Sequence, residues 1–235
     1  MTKSILVFVL VAATVVLLSV AAFATPSFFG PTGGIFTPDD KIVGVDAVSV
    51  NFHQVDFTNK TTLIGGTVGL TPDLEIGISR FDSGHDGIRG KAMFNGKYVL
   101  MEEKPTMPSV TFGVVDATGQ VSQDGDASAY LVVGKNLTPA VTNLAGEPIA
   151  PLRGYLGIGT GIYRGPFMSF DWAFSPKADV VLEYLNKLQL KDTYSSNNVL
   201  NAALRFRLYE DLHADIAAID MKDIGYGLTY THSLK

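Results

Sequence analysis

The sequence predicts an all-β fold, an antiparallel up-and-down transmembrane β-barrel of about twelve strands preceded by a signal peptide. Three observations predict it. Hydrophobic residues make up 46% of the chain. Beyond residue 25 they never form a run of the roughly 20 residues that a membrane helix needs. They recur instead at every second position, and a closed barrel is the strand structure that spans a bilayer with all its backbone groups paired.

The first 24 residues have the pattern of a signal peptide. Lys3 supplies a positive charge, residues 4–21 are almost wholly apolar, and Ala22-Phe23-Ala24 matches the small-x-small cleavage pattern, so cleavage is expected after Ala24. An uncleaved N-terminal anchor is the alternative, because the apolar run is slightly long. Residues 25–43 precede the first predicted strand and are expected to form an N-terminal periplasmic segment. The barrel is expected over residues 44–235.

The alternation is clearest near the C-terminus, where Leu200 and Leu204 fall on one face of a strand and Asn201 and Arg205 on the other. A helix would mix these residues around its circumference. The same pattern predicts twelve strands, at about 44–56, 61–70, 74–82, 92–102, 108–116, 127–137, 151–161, 166–175, 178–187, 197–209, 212–220 and 224–234.

The connections between these strands fit a barrel whose two chain ends lie in the periplasm. Tight periplasmic turns are predicted at 70–73, 175–177 and 209–211. Longer outer loops are predicted at 82–90, 116–126 and 187–197. Residues 138–151 are long for a periplasmic turn, and either an insertion or a miscounted strand explains them.

Polar residues on the inward faces form the candidate site. The expected lumen-lining residues are Glu75, Lys97, Arg153, Asp171, Glu183, Asn201, Arg205, Arg207, His213 and Asp215. Such mixed charges either form an ion-pair network that fills the lumen or line a small aqueous pore, and twelve strands enclose less space than general porins do. Aromatic residues are expected to face lipid as interfacial girdles: Phe52, Tyr98, Tyr130, Phe167, Trp172, Tyr184, Tyr209 and Tyr230.

The sequence gives only weak signals for catalysis, metal binding or nucleic-acid binding. A net charge of −5 disfavours a nucleic-acid partner. The chain has no cysteine, which excludes disulfides and thiol catalysis. Ser49 and His53 lie about 13 Å apart along one strand, too far for a hydrolase pair. Asp82, His85 and Asp86 form only a faint cation-binding cluster. No cofactor, metal or enzymatic activity is therefore expected.

Several motifs resemble those of YjbH-like outer-membrane proteins. Residues 30–38 (GPTGGIFTP) are similar to that family's opening motif, and residues 69–77 are similar to its first turn and following strand. Similar segments follow at 95–98, 108–114, 163–167 and 182–184. The resemblance implies an outer-membrane barrel associated with exopolysaccharide export, and it implies no catalytic residues.

The last predicted strand resembles the C-terminal recognition segment of outer-membrane barrels through Gly225, Leu228 and Tyr230, although the chain continues to Lys235. The expected partners are therefore outer-membrane lipid, the barrel assembly machinery and polysaccharide or export components. A non-enzymatic barrel that supports envelope structure or export is the favoured function. A small passive channel and a secreted soluble ligand-binding barrel are the alternatives.

Overall fold

A computed structural model describes residues 24–84, 89–144 and 146–234, and the predicted signal peptide lies almost wholly outside them. Twelve antiparallel strands form a closed barrel, which confirms the predicted fold. The barrel strands are β1 (Ala47–Asp56), β2 (Lys60–Thr71), β3 (Leu74–Asp82), β4 (Lys91–Met101), β5 (Ser109–Val115), β6 (Ser128–Asn136), β9 (Arg153–Gly159), β10 (Gly165–Ser175), β11 (Ala178–Leu190), β12 (Tyr194–Arg207), β13 (Leu212–Ile219) and β14 (Asp223–Ser233).

The barrel closes by pairing its first strand with its last. Ala47 at the start of β1 lies opposite Ser233 at the end of β14, so both ends of the barrel sequence lie at the same rim. We call this rim the periplasmic end and the opposite rim the outer end, as in bacterial barrels with an even strand number. No helix in the described part of the chain is long and apolar enough to cross a bilayer.

Side chains alternate between two environments along each strand, as the sequence predicts. On β12, Leu200 and Leu204 are exposed on the outside, whereas Asn201 and Arg205 are buried inside. An outer surface of this kind is stable only against lipid, because exposed apolar area of this extent is unfavourable in water.

Two of the residues assigned to the aromatic girdles are on the wrong face. Tyr130 and Phe167 point inward and are buried. The ring of Tyr130 lies over Gly113 and the ring of Phe167 over Gly157, at positions where a Cβ atom would collide with them. Glycine on a facing strand therefore creates the space that these large inward side chains occupy.

The connections confirm most of the predicted turns. Tight turns join the strands at 72–73, 176–177 and 208–211. Residues 137–152 are an insertion that contains a small ribbon of β7 (Val141–Thr142) and β8 (Pro148–Ile149), so the count of twelve barrel strands stands.

The prediction of an outer loop at 187–197 is wrong. β11 continues to Leu190 and β12 begins at Tyr194, with Lys187 opposite Asn197 in the ladder. The polar residues pair as an extended hairpin, because a ladder needs backbone partners and does not need apolar side chains where it leaves the lipid.

Residues 25–43, expected as a separate periplasmic segment, instead enter the barrel, and we call them the plug. Each residue from Thr25 to Asp40 is buried. The plug doubles back on itself through bridges between Pro26 and Thr32 and between Gly33 and Pro38. Its backbone is therefore paired partly within the plug, and the remaining polar groups face the barrel wall.

Apolar side chains close the outer half of the lumen. Phe28, Phe29 and Phe36 of the plug pack together with ring centroids 5.2–5.4 Å apart. Around them lie aromatic residues of the wall and of the outer turns: Phe57, Phe81, Tyr163 and Tyr194. The outer loop that follows β5 also folds inward, where Val121 is buried in the same cluster.

Candidate functional site: the occluded lumen

Glu75 on β3 and Lys97 on β4 form the first anchor of the plug and lie opposite each other in the ladder. The Glu75 carboxylate accepts hydrogen bonds from the backbone N–H groups of Thr32 (2.9 Å) and Val43 (2.8 Å). The Lys97 ammonium donates to the carbonyl of Thr32 (2.9 Å) and to the carboxylate of Asp39 (2.9 Å). Both wall side chains are 0% exposed, so protein groups alone satisfy their charges.

Glu183 on β11 forms the second anchor. Its carboxylate accepts from the backbone N–H groups of Ile35 (2.6 Å), Phe36 (3.0 Å) and Thr37 (2.9 Å). The Thr37 hydroxyl (2.6 Å) and the Asn201 side-chain amide (3.2 Å) complete the ring of donors. Successive N–H groups of one turn thus converge on a single anion, an arrangement that stabilises a buried charge.

Arg205 on β12 forms the third anchor through the carbonyl groups of the same turn. Its guanidinium donates to the carbonyl oxygens of Gly33 (3.4 Å) and Gly34 (3.2 Å). It also donates to Asp215 on β13 (2.9 Å), whose second oxygen lies 3.3 Å from Nε2 of His53. The plug turn is therefore held by an anion on one side and by a cation on the other.

Asp40 forms the fourth anchor, at the periplasmic rim. Arg153 donates to it through Nε (3.1 Å) and through Nη2, and Ser109 donates its hydroxyl. Arg153 also bonds Glu103 and the side chain of Asn136 (2.6 Å). Burial alone would raise the pKa of Asp40, but the hydrogen bonds and charge of Arg153 outweigh it and hold that pKa below its usual range. The pKa of Glu103 is lowered by the same balance.

Two cavities open near the periplasmic end. One of about 70 Å³ is lined by both acidic and basic side chains, namely Asp171, Asp179, Lys177, Arg205, Arg207 and His213. A second of about 390 Å³ lies beside the fourth anchor and is bordered by Asp40, Asp73, Glu102, Glu103 and Arg153. The polar space inside this barrel therefore lies toward the periplasmic rim, on the side from which the plug enters.

The ten residues expected to line the lumen divide into two groups. Seven belong to the anchors: Glu75, Lys97, Arg153, Glu183, Asn201, Arg205 and Asp215. The other three, Asp171, Arg207 and His213, line the smaller cavity. Asp171 also accepts from the Tyr155 hydroxyl (3.1 Å) and lies 3.7 Å from the Lys41 ammonium.

Sequence reasoning did not identify the plug residues that bind these wall side chains. Thr32, Asp39 and Asp40 satisfy wall residues, and Glu103 shares Arg153 with Asp40. The one available signal was the adjacent acidic pair Asp39-Asp40 close before the first strand. Their partners lie 58 and 113 positions away in sequence, and no local pattern identifies such pairs.

The described residues give no support for catalysis or for a metal centre. Ser49 bonds Thr231 (2.9 Å), while His53 bonds Asp215, so these two residues have different partners. No group of three or more His, Asp or Glu among the described residues is placed to hold a metal ion. His85 and Asp86 of the faint cation cluster lie outside the described residues.

Solved structures share this architecture. The KdgM porin aligns over 80% of this chain and 99% of its own, with 10% identity and a TM-score of 0.51. The chain has the fold of an outer-membrane β-barrel. The same KdgM porin has been solved in complex with disordered oligogalacturonate. The outer membrane protein Omp33 of Acinetobacter baumannii aligns over 80% of this chain and 97% of its own, with 11% identity and a TM-score of 0.45.

No protein-family model matches the chain, and no curated protein is similar to it in sequence. The closed barrel and its apolar exterior place the chain in the outer membrane, since closed barrels are the strand structures that span that bilayer. The chain's own residues 25–43 occupy the lumen of this barrel.

Proposed function

We propose that this chain is a non-enzymatic outer-membrane barrel that remains closed to solutes and serves the cell envelope. One observation carries the proposal: the plug occupies the lumen and is anchored to β3, β4, β11 and β12 by charged groups that have no exposure or almost none. Anchors on opposite sides of a barrel restrain a segment more firmly than contacts with one wall would.

Both halves of the lumen oppose ion passage. The outer half is filled by packed aromatic rings, and an ion entering it would lose its hydration shell without gaining polar partners. In the periplasmic half the anchor charges are already paired, either with plug groups or with each other. An ion that enters from the periplasm can reach the polar cavities near the rim, but the aromatic cluster lies beyond them.

For the cellular process, we propose support of exopolysaccharide export or of envelope structure. The resemblance of residues 30–38 to the opening motif of YjbH-like proteins supports it, and these residues lie in the plug, where they bind Glu75, Lys97 and Glu183. The expected partners are outer-membrane lipid, the assembly machinery and the export components. A strain lacking the chain should secrete less polysaccharide, and unchanged secretion would contradict this assignment.

A small passive channel is the second candidate, favoured by the likeness of the fold to the KdgM porin. For this function the plug must leave the lumen. Planar-bilayer conductance separates the two: the full mature chain should show no single-channel steps, whereas a variant lacking residues 25–40 should show them. Heat-modifiable gel migration checks that both the full chain and the shortened variant are folded. Steady conductance by the full chain would establish the channel instead.

A further inference from the structure

The first anchor brings an amine and two carboxyl groups into one enclosed space. Nζ of Lys97 lies 2.9 Å from Oδ1 of Asp39 and 3.5 Å from Oε1 of Glu75. The side chains of Lys97 and Glu75 are 0% exposed, and that of Asp39 is 4% exposed. Water therefore has almost no access to the three groups. In an exposed ion pair, hydration of the amine and the carboxylate keeps the two from reacting, and here that hydration is missing.

We propose that Lys97 and Asp39 condense to an intramolecular amide that joins the plug covalently to β4. The Lys97 ammonium first passes a proton to the Glu75 carboxylate. The nitrogen lone pair then attacks Cγ of Asp39, which forms a C–N bond. One C–O bond breaks, and its oxygen leaves as water with the proton held by Glu75 and one from the nitrogen. Glu75 is regenerated as a carboxylate, and no redox partner is needed.

The geometry supports each role in this reaction. The hydrogen-bond distance between Nζ and the carboxylate holds the nucleophile next to its target, and such proximity greatly raises effective concentration. The backbone N–H of Lys41 donates to Oδ1 of Asp39 (2.9 Å), so it is placed to stabilise the negative charge that develops on that oxygen. Glu75 is within reach of the nitrogen to accept and return the proton.

Burial also favours the product. An ion pair that is removed from water loses hydration free energy, which its mutual attraction does not always restore. A neutral amide at the same position avoids this cost, and the released water leaves an enclosed site. The product would link residues 58 positions apart and would make closure of the lumen permanent.

Mass spectrometry of the folded protein tests the proposal without reference to conductance or export. Purified wild-type protein should be lighter by the mass of one water than its processed sequence. Trypsin should leave Lys97 uncleaved and yield a branched peptide that contains both Asp39 and Lys97. An unreduced mass, with linear peptides that end at Lys97, would overturn the proposal.

Three variants assign the roles. Lys97→Arg keeps the charge and should abolish the mass loss, and Glu75→Gln should abolish or greatly slow it. Asp39→Asn should still form the link but release ammonia, so its mass loss should equal one ammonia molecule. A loss of one water that survives in Lys97→Arg would show that the dehydration occurs elsewhere and would also overturn the proposal.

Discussion

Single buried charges determine where the N-terminal segment of this protein lies. A carboxylate such as Glu183, 1% exposed, would strongly destabilise the barrel if it had no donors around it. Three backbone N–H groups and a hydroxyl of the plug supply them. The charged wall residues therefore hold the plug in position. The hydrogen bonds that the plug supplies in turn offset the free-energy cost of burying those charges.

The fourth anchor should depend on pH. Arg153→Met leaves Asp40 buried without its cation and should lower the free energy of unfolding by roughly 3 kcal/mol at pH 7. Because the folded-state pKa values of Asp40 and Glu103 are lowered, the stabilisation is complete above ordinary carboxyl pKa values and is lost as pH falls through the lowered ones. The difference from wild type should therefore be complete at pH 7 and shrink as pH falls toward and through the carboxyl range.

Denaturant unfolding in lipid vesicles at several pH values measures this difference. Arg164→Met is the matched control, since Arg164 pairs with Asp124 on the surface and both side chains are at least 40% exposed. It should change the stability by less than about 1 kcal/mol. Equal losses in the two variants would show that Arg153 has no special role.

If the exposed apolar residues face lipid, the destabilisation caused by a charged substitution should depend on the depth of that residue in the bilayer. Leu204 lies midway along the part of β12 that pairs with β13, and Leu208 lies just beyond the end of β12, with exposures of 40% and 52%. Leu204→Arg should destabilise the barrel by about 2–4 kcal/mol and Leu208→Arg by about 1 kcal/mol or less, because charge is costliest at the bilayer centre. Unfolding in vesicles measures both, and a larger effect at Leu208 would contradict the placement of the bilayer.

At the scale of elements, the plug turn is shaped for contact with Glu183. A Cβ atom at Gly34 would collide with the Glu183 carboxylate and lie 3.2 Å from Val181. Gly34→Ala should therefore unseat the plug and expose residues 30–38 to hydrogen exchange. Gly44→Ala is the control, because its Cβ would meet only Ala47 at an ordinary 3.8 Å. Unchanged protection in Gly34→Ala would contradict the anchor.

The strands were predictable because their signal is local. Alternation along β12 depends only on which residues face lipid, so twelve strands and most inward residues could be assigned without knowing any contact. The hairpin arms around residues 187–197 were missed for the same reason. Along β11 the buried positions pass from Leu185 to Leu188, three residues apart, so the period of two is interrupted where the ladder continues into the hairpin.

The plug could not be predicted in this way. Residues 25–43 have no strand period, and their position depends on partners such as Glu75 and Glu183, 43 and 146 positions from the plug residues that bind them. The sequence does indicate that the lumen carries buried charge of both signs. It does not indicate that part of the chain supplies the missing donors and acceptors.

The whole molecule is asymmetric along its axis. Aromatic packing and the inward-folded loop close the outer end, while the anchors and both ionic cavities lie toward the periplasmic end. The plug enters from that same end, since Val43 lies beside Glu75 near the start of β3. The closed lumen is therefore a property of the barrel and the plug together.

The location of the plug is the central claim, and cysteine protection tests it most directly, because the chain has no cysteine of its own. Ser27 is 1% exposed and its hydroxyl makes no hydrogen bond within the described residues, so Ser27→Cys should fold normally. In folded protein this cysteine should resist a water-soluble maleimide until denaturation, whereas Ser233→Cys, exposed at the periplasmic rim, should react at once. Equal labelling of the two cysteines in the folded barrel would contradict a plugged lumen.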